Sequence, residues 1–287
     1  MDRPIHVVGG GIAGLVAAIT AAEHGAPVVL HEASDRIGGR ALGGTDRPGV
    51  NLGPHAVFTD GALLSWLRAR RIGVGLRGPA LRGIRVLDAS GTHVPLGESV
   101  RLLATLPSQR APVEDSFGDW TDSVFGTATA ALMCRLAGLF TYHHDPGALS
   151  ARFVWDRYRR TVLSPERIRW MAGGWSSLVD ALAERANALG VRIELGDRIT
   201  RADLPDGPTI VATKLSAASR LLERQLSWPG ARTALLDVVT SRGVGWPSLV
   251  MDVRSDLSTC CMIERETAVE PELLGPHGPE LFQAQVG

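Results

Sequence analysis

The chain has 287 residues, of which 45% are hydrophobic, so it can bury a core of ordinary density and exceeds the usual size of one compact domain. Basic and acidic side chains balance at 30 each, so no global field favours nucleic acid or an anionic membrane as a partner. Its 3 cysteines lack C-x-x-C spacing, which indicates neither a disulfide framework nor a zinc site and predicts reduced thiols in the cytoplasm.

The N-terminal stretch predicts a βαβ unit. PIHVV is a short apolar strand, AGLVAAITAAEHG is a helix that Gly25 ends as a C-cap, and PVVLHE is a second buried strand. A right-handed crossover makes two such strands parallel. The predicted fold class is therefore α/β, beginning as a doubly wound sheet.

The middle of the chain predicts hairpins and helices that interrupt this pattern. A loop rich in Gly, Thr and Pro follows Arg40, and the next segments are the helix DGALLSWLRARRIG and the hairpin GIRVLDASGTHVPLG. Three amphipathic helical segments follow: SFGDWTDSVFG, TATAALMCRLAGLF and ALSARFVWDRYRR. The second of these is the most apolar, but it is too short to cross a bilayer and contains Arg135.

The α/β pattern resumes with the helix GGWSSLVDALAERANALG, for which Ser176 or Ser177 is the predicted N-cap. The strands VRIEL, RITRADL and PTIVAT and the helix LSAASRLLERQL follow, and four β runs lie beyond Gly230: ALLDVVT, PSLVMDV, TCCMIE and LFQAQV. We expect two lobes, each formed by separate stretches of chain: 1–54 and 171–228 in a nucleotide-binding lobe, 55–170 and 229–287 in the other.

The first glycine cluster has the spacing of a dinucleotide-binding turn. Gly9, Gly11 and Gly14 satisfy G-x-G-x-x-G between the first strand and helix, where a tight turn, close backbone approach and free helix amides suit a pyrophosphate. Glu32 ends the second strand at the distance expected of a carboxylate that binds ribose hydroxyls and repels a 2′-phosphate. NAD and FAD both satisfy this pattern.

The second cluster, ASDRIGGRA, resembles a signature of the flavin-containing amine oxidase superfamily and its relatives, the phytoene desaturases and protoporphyrinogen oxidases. These proteins carry R-x-G-G-R after the acid, matched here by Arg36, Gly38, Gly39 and Arg40. Glycine amides and an arginine suit an extended diphosphate. The resemblance implies FAD, held by a Rossmann-type lobe with an inserted mixed α+β substrate lobe.

Three later segments agree with the resemblance. NLGPHAVF is similar to the segment that passes the flavin ring, which implies ring contacts by Gly53, Pro54 and His55. Ile199 matches a position that bonds adenine through its backbone, and Ala212 matches one near the dinucleotide. The predicted cofactor-binding residues are Gly9, Gly11, Ile12, Ala13, Gly14, Glu32, Ala33, Gly38, Gly39, Arg40, Gly53, Pro54, His55, Ile199 and Ala212.

Two features depart from the family pattern. The glycine- and acid-containing segment that closes over the flavin is not visible before Gly287, which predicts a fragment, a shortened architecture, or a second polypeptide or oligomer that completes the site. The segment SRGVGWPSLV lacks the lysine that many amine oxidases place near the flavin. Desaturase-like or other dehydrogenation chemistry is therefore favoured over amine oxidation.

Other chemically distinctive residues admit structural interpretations. His143, His144 and Asp145 lack a third ligand at useful spacing, so a polar helix terminus is favoured over a metal site. Trp155, Tyr158 and Trp170 could line a substrate cavity, but core packing is the commoner role. The pattern identifies no catalytic residue.

The combined interpretation is an FAD-dependent oxidoreductase that takes a hydride from an apolar or amine-like small molecule. One alternative is a non-catalytic or split-enzyme FAD-binding homologue that needs a partner chain. The other is an NAD-dependent dehydrogenase, which leaves the segment from Arg36 to Arg40 unexplained.

Overall fold

The structure is a computed structural model that describes residues 3–43, 56–78, 84–87, 93–95, 110–161, 164, 167–227, 234–240, 249–252, 259–265 and 280–286. The chain divides into two compact units. Unit 1 comprises Met1–Ala56, Gly61–Leu76 and Trp170–Pro229, and unit 2 comprises Val57–Asp60, Arg77–Arg169 and Gly230–Gly287.

The described helices are α1 Ile12–Glu23, α2 Ala62–Ala69, α3 Phe117–Phe125, α4 Thr127–Thr141, α5 Ala151–Thr161, α6 Gly174–Ala188 and α7 Leu215–Leu222. The described strands are β1 Ile5–Val8, β2 Val28–Glu32, β3 Ala56–Phe58, β4 Leu76–Arg77, β5 Ile84–Leu87, β6 His93–Pro95, β7 Ile168–Met171, β8 Arg192–Leu195, β9 Thr209–Val211, β10 Ala234–Thr240, β11 Leu249–Asp252, β12 Thr259–Arg265 and β13 Glu280–Val286. Short 3₁₀ turns span Gly39–Ala41 and Pro146–Ala148.

A parallel four-stranded sheet forms the centre of unit 1. Its order is β8-β2-β1-β9, and every neighbouring pair is parallel, which confirms the predicted α/β fold class. Val7, Val28 and Leu30 are buried, as continuous apolar strands require when both faces of a parallel sheet are covered. All strand carboxyl ends therefore lie at one edge.

Helices α1 and α6 pack together in unit 1. Their buried residues recur at helical spacing: Leu15, Ala18 and Ile19 on α1, and Leu178, Leu182 and Ala186 on α6. Helix α1 ends just before Gly25, whose φ of +84° is the left-handed conformation of the predicted C-cap.

The helix over residues 62–69 belongs to unit 1, although the sequence pattern placed it in the insert. Its Trp66 Nε1–H donates to Thr20 Oγ1 at 3.3 Å, and Arg70 Nε donates to Glu23 Oε2 at 2.7 Å. These bonds attach α2 to α1, a long-range contact that helical periodicity does not encode.

Helices α3, α4 and α5 enclose a core in unit 2. Phe117, Trp120, Met133, Trp155 and Tyr158 are buried in it, and Trp155 lies 5.2 Å from Trp120 in an edge-on arrangement. Trp155 and Tyr158 therefore serve in core packing. The predicted helix start is also observed, since the side chain of Ser116 caps α3 by accepting from the amide of Asp119 at 3.1 Å.

Unit 2 also contains a six-stranded sheet of order β10-β13-β12-β11-β5-β6. Pairing is antiparallel except between β11 and β5, and the antiparallel pair β5–β6 is the predicted hairpin. Strands β3, β7 and β4 form a small sheet in that order.

Two local predictions are wrong. The N-cap of α6 is Gly173, not Ser176 or Ser177, because left-handed Gly173 and Gly174 let the helix begin earlier. Residues 198–204 form irregular backbone with a turn at 201–203 rather than the predicted strand. Thr200 Oγ1 donates to the carboxylate of Asp203, and the amide of Asp203 donates to the carbonyl oxygen of Thr200, so the segment bonds to itself.

Among the residues that the structure describes, no helix combines the length and apolar character needed to cross a bilayer.

Candidate functional site

The turn after β1 and the start of α1 leave no room for a side chain at two of the predicted glycines, Gly9 and Gly14. Gly9 has a φ of +113°, and a Cβ there would lie 2.7 Å from the carbonyl oxygen of Ala212. A Cβ on Gly14 would lie 1.8 Å from the carbonyl oxygen of Gly9. Without side chains at these positions, α1 can lie close against β1 and β9, which is the usual role of the third glycine in this motif.

The N-terminus of α1 is left open to a ligand by this turn. Gly11 is its N-cap, without a side-chain capping bond or an acidic residue in the first turn. The first amides of a helix have no intrahelical partner, and they carry the positive end of the helix dipole. Ile12 and Ala13 therefore offer donors that suit an anion, while the nearest atom to a Cβ built on Gly11 is the carbonyl oxygen of Gly38 at 3.9 Å.

Glu32 lies at the mouth of this turn. Its Oε2 accepts from the amide of Gly10 at 2.6 Å, and its Oε1 accepts from the amide of Ser34 at 2.9 Å. Each carboxylate oxygen can accept a second hydrogen bond, so the group is fixed in direction but still able to bind hydroxyls. Ala33 follows it and is exposed.

Gly10 is a site residue that the spacing rule does not select. A Cβ on Gly10 would lie 2.9 Å from Glu32 Oε2 and 3.0 Å from Ile37 Cγ2. The available signal was the run of three glycines, Gly9 to Gly11, in which the variable position of the motif is itself glycine. The missing side chain lets Glu32 reach the backbone of the turn.

The second glycine cluster packs directly on the first. The amide of Gly38 donates to the carbonyl oxygen of Gly10 at 2.8 Å, and a Cβ on Gly39 would lie 3.4 Å from Gly11 Cα. Gly38 and Gly39 both have positive φ, at 122° and 56°. Arg40 is exposed in the 3₁₀ turn that follows. The two clusters thus form one surface, although a helix and a strand separate them in sequence.

Two later segments lie beside this surface. The amide of Asp197 donates to the carbonyl oxygen of Glu32 at the end of β2, at 2.9 Å, and half-buried Ile199 follows Asp197 by two residues. The amide of Ala212 donates to the carbonyl oxygen of Val8 at 2.8 Å, next to Gly9. The predicted ring contacts Gly53, Pro54 and His55 lie outside the described residues.

The other chemically distinctive group, in unit 2, forms a local turn. Nδ1 of His143 lies 2.8 Å from the carbonyl oxygen of Asp145, and the Asp145 side chain accepts from the amide of Ala148. The rings of His143 and His144 stack at 4.7 Å. Asp145 therefore caps the turn Pro146–Ala148.

The strand, glycine turn, helix and carboxylate define a Rossmann-type dinucleotide-binding lobe, and its residues fit the adenosine diphosphate half of a dinucleotide. The space beside Gly11, the free helix end and the hydrogen-bonding capacity of Glu32 are the observations behind this fit. They do not separate FAD from NAD, because both contain this half.

Comparison with known proteins agrees with this class. Residues 7–69 match the model of the family described as NAD(P)-binding Rossmann-like domain. No curated protein matches the sequence.

Solved structures share the fold over almost the whole chain at low sequence identity. A Pyrococcus furiosus protein is 16% identical at a TM-score of 0.78, with 99% of this chain and 80% of that chain covered. An oxidoreductase from Methanosarcina mazei is 15% identical at 0.75, with 99% and 79% covered. Cyclohexylamine oxidase from Brevibacterium oxydans is 16% identical at 0.66, with 100% and 76% covered. The fold expected from the resemblance to flavin-containing amine oxidases is confirmed.

Proposed function

We propose that the chain is an FAD-dependent oxidoreductase that takes a hydride from an apolar or amine-like small molecule. The main support is the single surface that two glycine turns form around Glu32. The fold is shared with cyclohexylamine oxidase and with the Methanosarcina mazei oxidoreductase. When bound, FAD supplies the hydride-accepting chemistry.

The chain's own residues bind and orient the cofactor in this proposal. The remaining lone pairs of Glu32 accept from ribose hydroxyls, beside Ala33, while the first-turn amides of Ile12 and Ala13 donate to the diphosphate. Arg40 neutralises the diphosphate charge. The further positions assigned by the resemblance are Ile199 beside the adenine, Ala212 beside the glycine turn, and Gly53, Pro54 and His55 at the ring.

The arrangement of residues 36–40 favours FAD over NAD. The match of residues 7–69 to an NAD(P)-binding model supports a nicotinamide cofactor as the second candidate. However, Gly38 and Gly39 bring a second stretch of backbone against Gly10 and Gly11. A nicotinamide dehydrogenase has no general need for this second turn. The turn extends the surface available to a longer dinucleotide such as FAD.

The absorption spectrum of the purified chain tests the cofactor. We expect absorption bands at about 370 and 450 nm, as for an oxidised flavin, that remain after gel filtration. These bands should bleach when a substrate is added anaerobically. A colourless chain that binds NAD but not FAD would refute the proposal. Bands that appear only with a second polypeptide would instead support the split-enzyme alternative.

We also propose a cytoplasmic location, supported by an odd number of cysteines without C-x-x-C spacing. Thiol titration of the protein freshly isolated from its native cells tests this, because reduced cysteines are expected there and a disulfide would contradict it.

A further inference from the structure

A histidine pair lies on one face of the unit 1 sheet. In the strand register, His6 is aligned with Val29 and Arg192, and the next row on the same face aligns His31 with Glu194. His31 is only 8% exposed, and its ring lies nearly parallel to that of His6, with the two ring centroids 5.2 Å apart. The dinucleotide site described above uses neither imidazole.

His6, His31 and Asp197 form a continuous hydrogen-bond network. Nδ1 of His31 lies 2.6 Å from Asp197 Oδ2, and Nε2 of His31 lies 2.9 Å from Nδ1 of His6. A carboxylate only accepts, so His31 Nδ1–H is the donor to Asp197. With His31 neutral, its Nε2 accepts from His6 Nδ1–H, which fixes the tautomer of both rings.

This hydrogen-bond network is attached to the backbone that supports the adenosine side of the proposed site. The amide of Asp197 donates to the carbonyl oxygen of Glu32, and the amide of Gly196 donates to that of Ser34 at 2.7 Å. The carbonyl oxygen of His31 accepts from the amide of Gly9 at 2.8 Å. His31 therefore contacts both the glycine turn, through its backbone, and the segment 196–199, through its ring.

We propose that Asp197 and His31 are positioning residues for adenosine binding, with His6 holding His31 in the required tautomer. Their hydrogen bond holds the segment 196–199 against the end of β2, so that Ile199 and Glu32 keep a fixed separation. The inference rests on the proposed dinucleotide site and adds the residues that hold its adenosine side in place.

The hydrogen bond between His6 and His31 depends on their protonation, because one nitrogen of each ring faces one nitrogen of the other. If both rings were protonated, two N–H donors would oppose each other and the bond between His6 and His31 would be lost. Charged groups near the pair include Asp197, which bonds to His31, and Arg192 and Glu194 of β8, which form their own ion pair at 3.2 Å. Burial, His31 and Arg192 lower the pKa of His6, which favours the neutral ring that donates to His31.

Adenosine diphosphate is the probe for the first test, because it contains only the half of the cofactor that these residues position. Calorimetric titration of the full chain should show about tenfold or greater weakening in Asp197→Ala. Asp197→Asn, which keeps an oxygen acceptor for His31, should restore affinity to within about threefold of wild type. The matched control is Asp203→Ala, since Asp203 lies shortly after the segment 196–199 and bonds to Thr200 instead. Equal affinity in Asp197→Ala and Asp203→Ala would overturn the proposal.

The variant His6→Phe tests the role given to His6. Phenylalanine keeps an aromatic ring at this position but lacks the Nδ1–H that donates to His31 Nε2, so this bond no longer fixes the tautomer of His31. Adenosine diphosphate affinity should fall by about threefold or more. Wild-type affinity in a folded His6→Phe protein would contradict the role of His6.

A spectroscopic measurement gives a readout without any ligand. Proton NMR should show the Nδ1–H of His31 strongly downfield in wild type, absent in His31→Gln, and shifted when adenosine diphosphate binds. Wild type that binds adenosine diphosphate but not FAD would refute the FAD assignment alone, while the variants still test the positioning role. Wild type that binds neither would refute both.

Discussion

Gly11→Ala separates ligand binding from folding more sharply than any other change in the glycine turn. Gly11 has φ −76° and ψ −179°, which alanine adopts without strain, and the nearest atom to the new Cβ is 3.9 Å away. The loss of an N-cap glycine and the reduced entropy of the unfolded chain oppose each other, each by about 0.5–1 kcal/mol, so stability should change by less than about 1 kcal/mol. The methyl group would, however, stand where the proposed diphosphate approaches the backbone. We expect FAD affinity to fall at least about 100-fold, or about 2.8 kcal/mol.

The assay is FAD and adenosine diphosphate affinity measured beside the thermal unfolding midpoint. Gly73→Ala is the matched control, because a Cβ there meets no atom within 4 Å and Gly73 lies outside the glycine turn; it should leave both quantities unchanged. Gly14→Ala should behave in the opposite way to Gly11→Ala, with a loss of stability of about 3 kcal/mol or more, because its Cβ would overlap the carbonyl oxygen of Gly9 at 1.8 Å. Wild-type affinity in a folded Gly11→Ala protein would show that the dinucleotide does not bind at this turn.

Three further substitutions test other parts of the structure. Glu32→Gln loses one of the two backbone hydrogen bonds of Glu32, so the free energy of unfolding in denaturant should fall by about 1–3 kcal/mol and the affinity for adenosine diphosphate should also fall. The affinity for adenosine 2′,5′-diphosphate relative to adenosine diphosphate should rise, since the negative charge that repels a 2′-phosphate is gone. Tyr158→Phe should raise the thermal midpoint by an amount equivalent to about 1 kcal/mol, because no partner among the described residues reaches the buried hydroxyl; a lower midpoint would reveal a bond to it. Burial raises the pKa of Glu23, but the hydrogen bonds from Arg185 and Arg70 outweigh it and hold that pKa below its ordinary value. Glu23→Gln should therefore be less stable than wild type near neutral pH, and the difference should disappear as pH falls through the lowered pKa of Glu23. A difference that stays constant with pH would contradict the ion pair.

The regular elements of unit 1 were predictable because their signals are local. Buried apolar strands, helical periodicity and a glycine stop specify β1, α1 and β2 without reference to the rest of the chain. The predicted strand over residues 198–204 failed for a reason of the same kind. Side chains such as Thr200 and Asp203 bond within the segment, and a hydrophobicity pattern does not register that competition.

The candidate site was predictable only where a spacing rule exists. Gly9, Gly14 and Glu32 follow such a rule, and each has the close contact that the rule implies. Gly10 and the proposed positioning residue Asp197 do not, because their contacts depend on which way the side chains of Glu32 and His31 point. That direction is a property of the folded sheet, so composition and periodicity carry no record of it.

The strand order gives an argument for the site that does not use the glycine motif. In the order β8-β2-β1-β9, the chain leaves β1 toward β2 on one side, whereas β9 pairs with β1 on the other. In open parallel sheets, ligands bind outside the carboxyl ends of the strands at the point where such connections diverge. That point lies between the ends of β1 and β9, where Gly9 meets the carbonyl oxygen of Ala212. The topology and the glycine turn thus select the same edge of the sheet by independent reasoning, so a dinucleotide that bound elsewhere would contradict both.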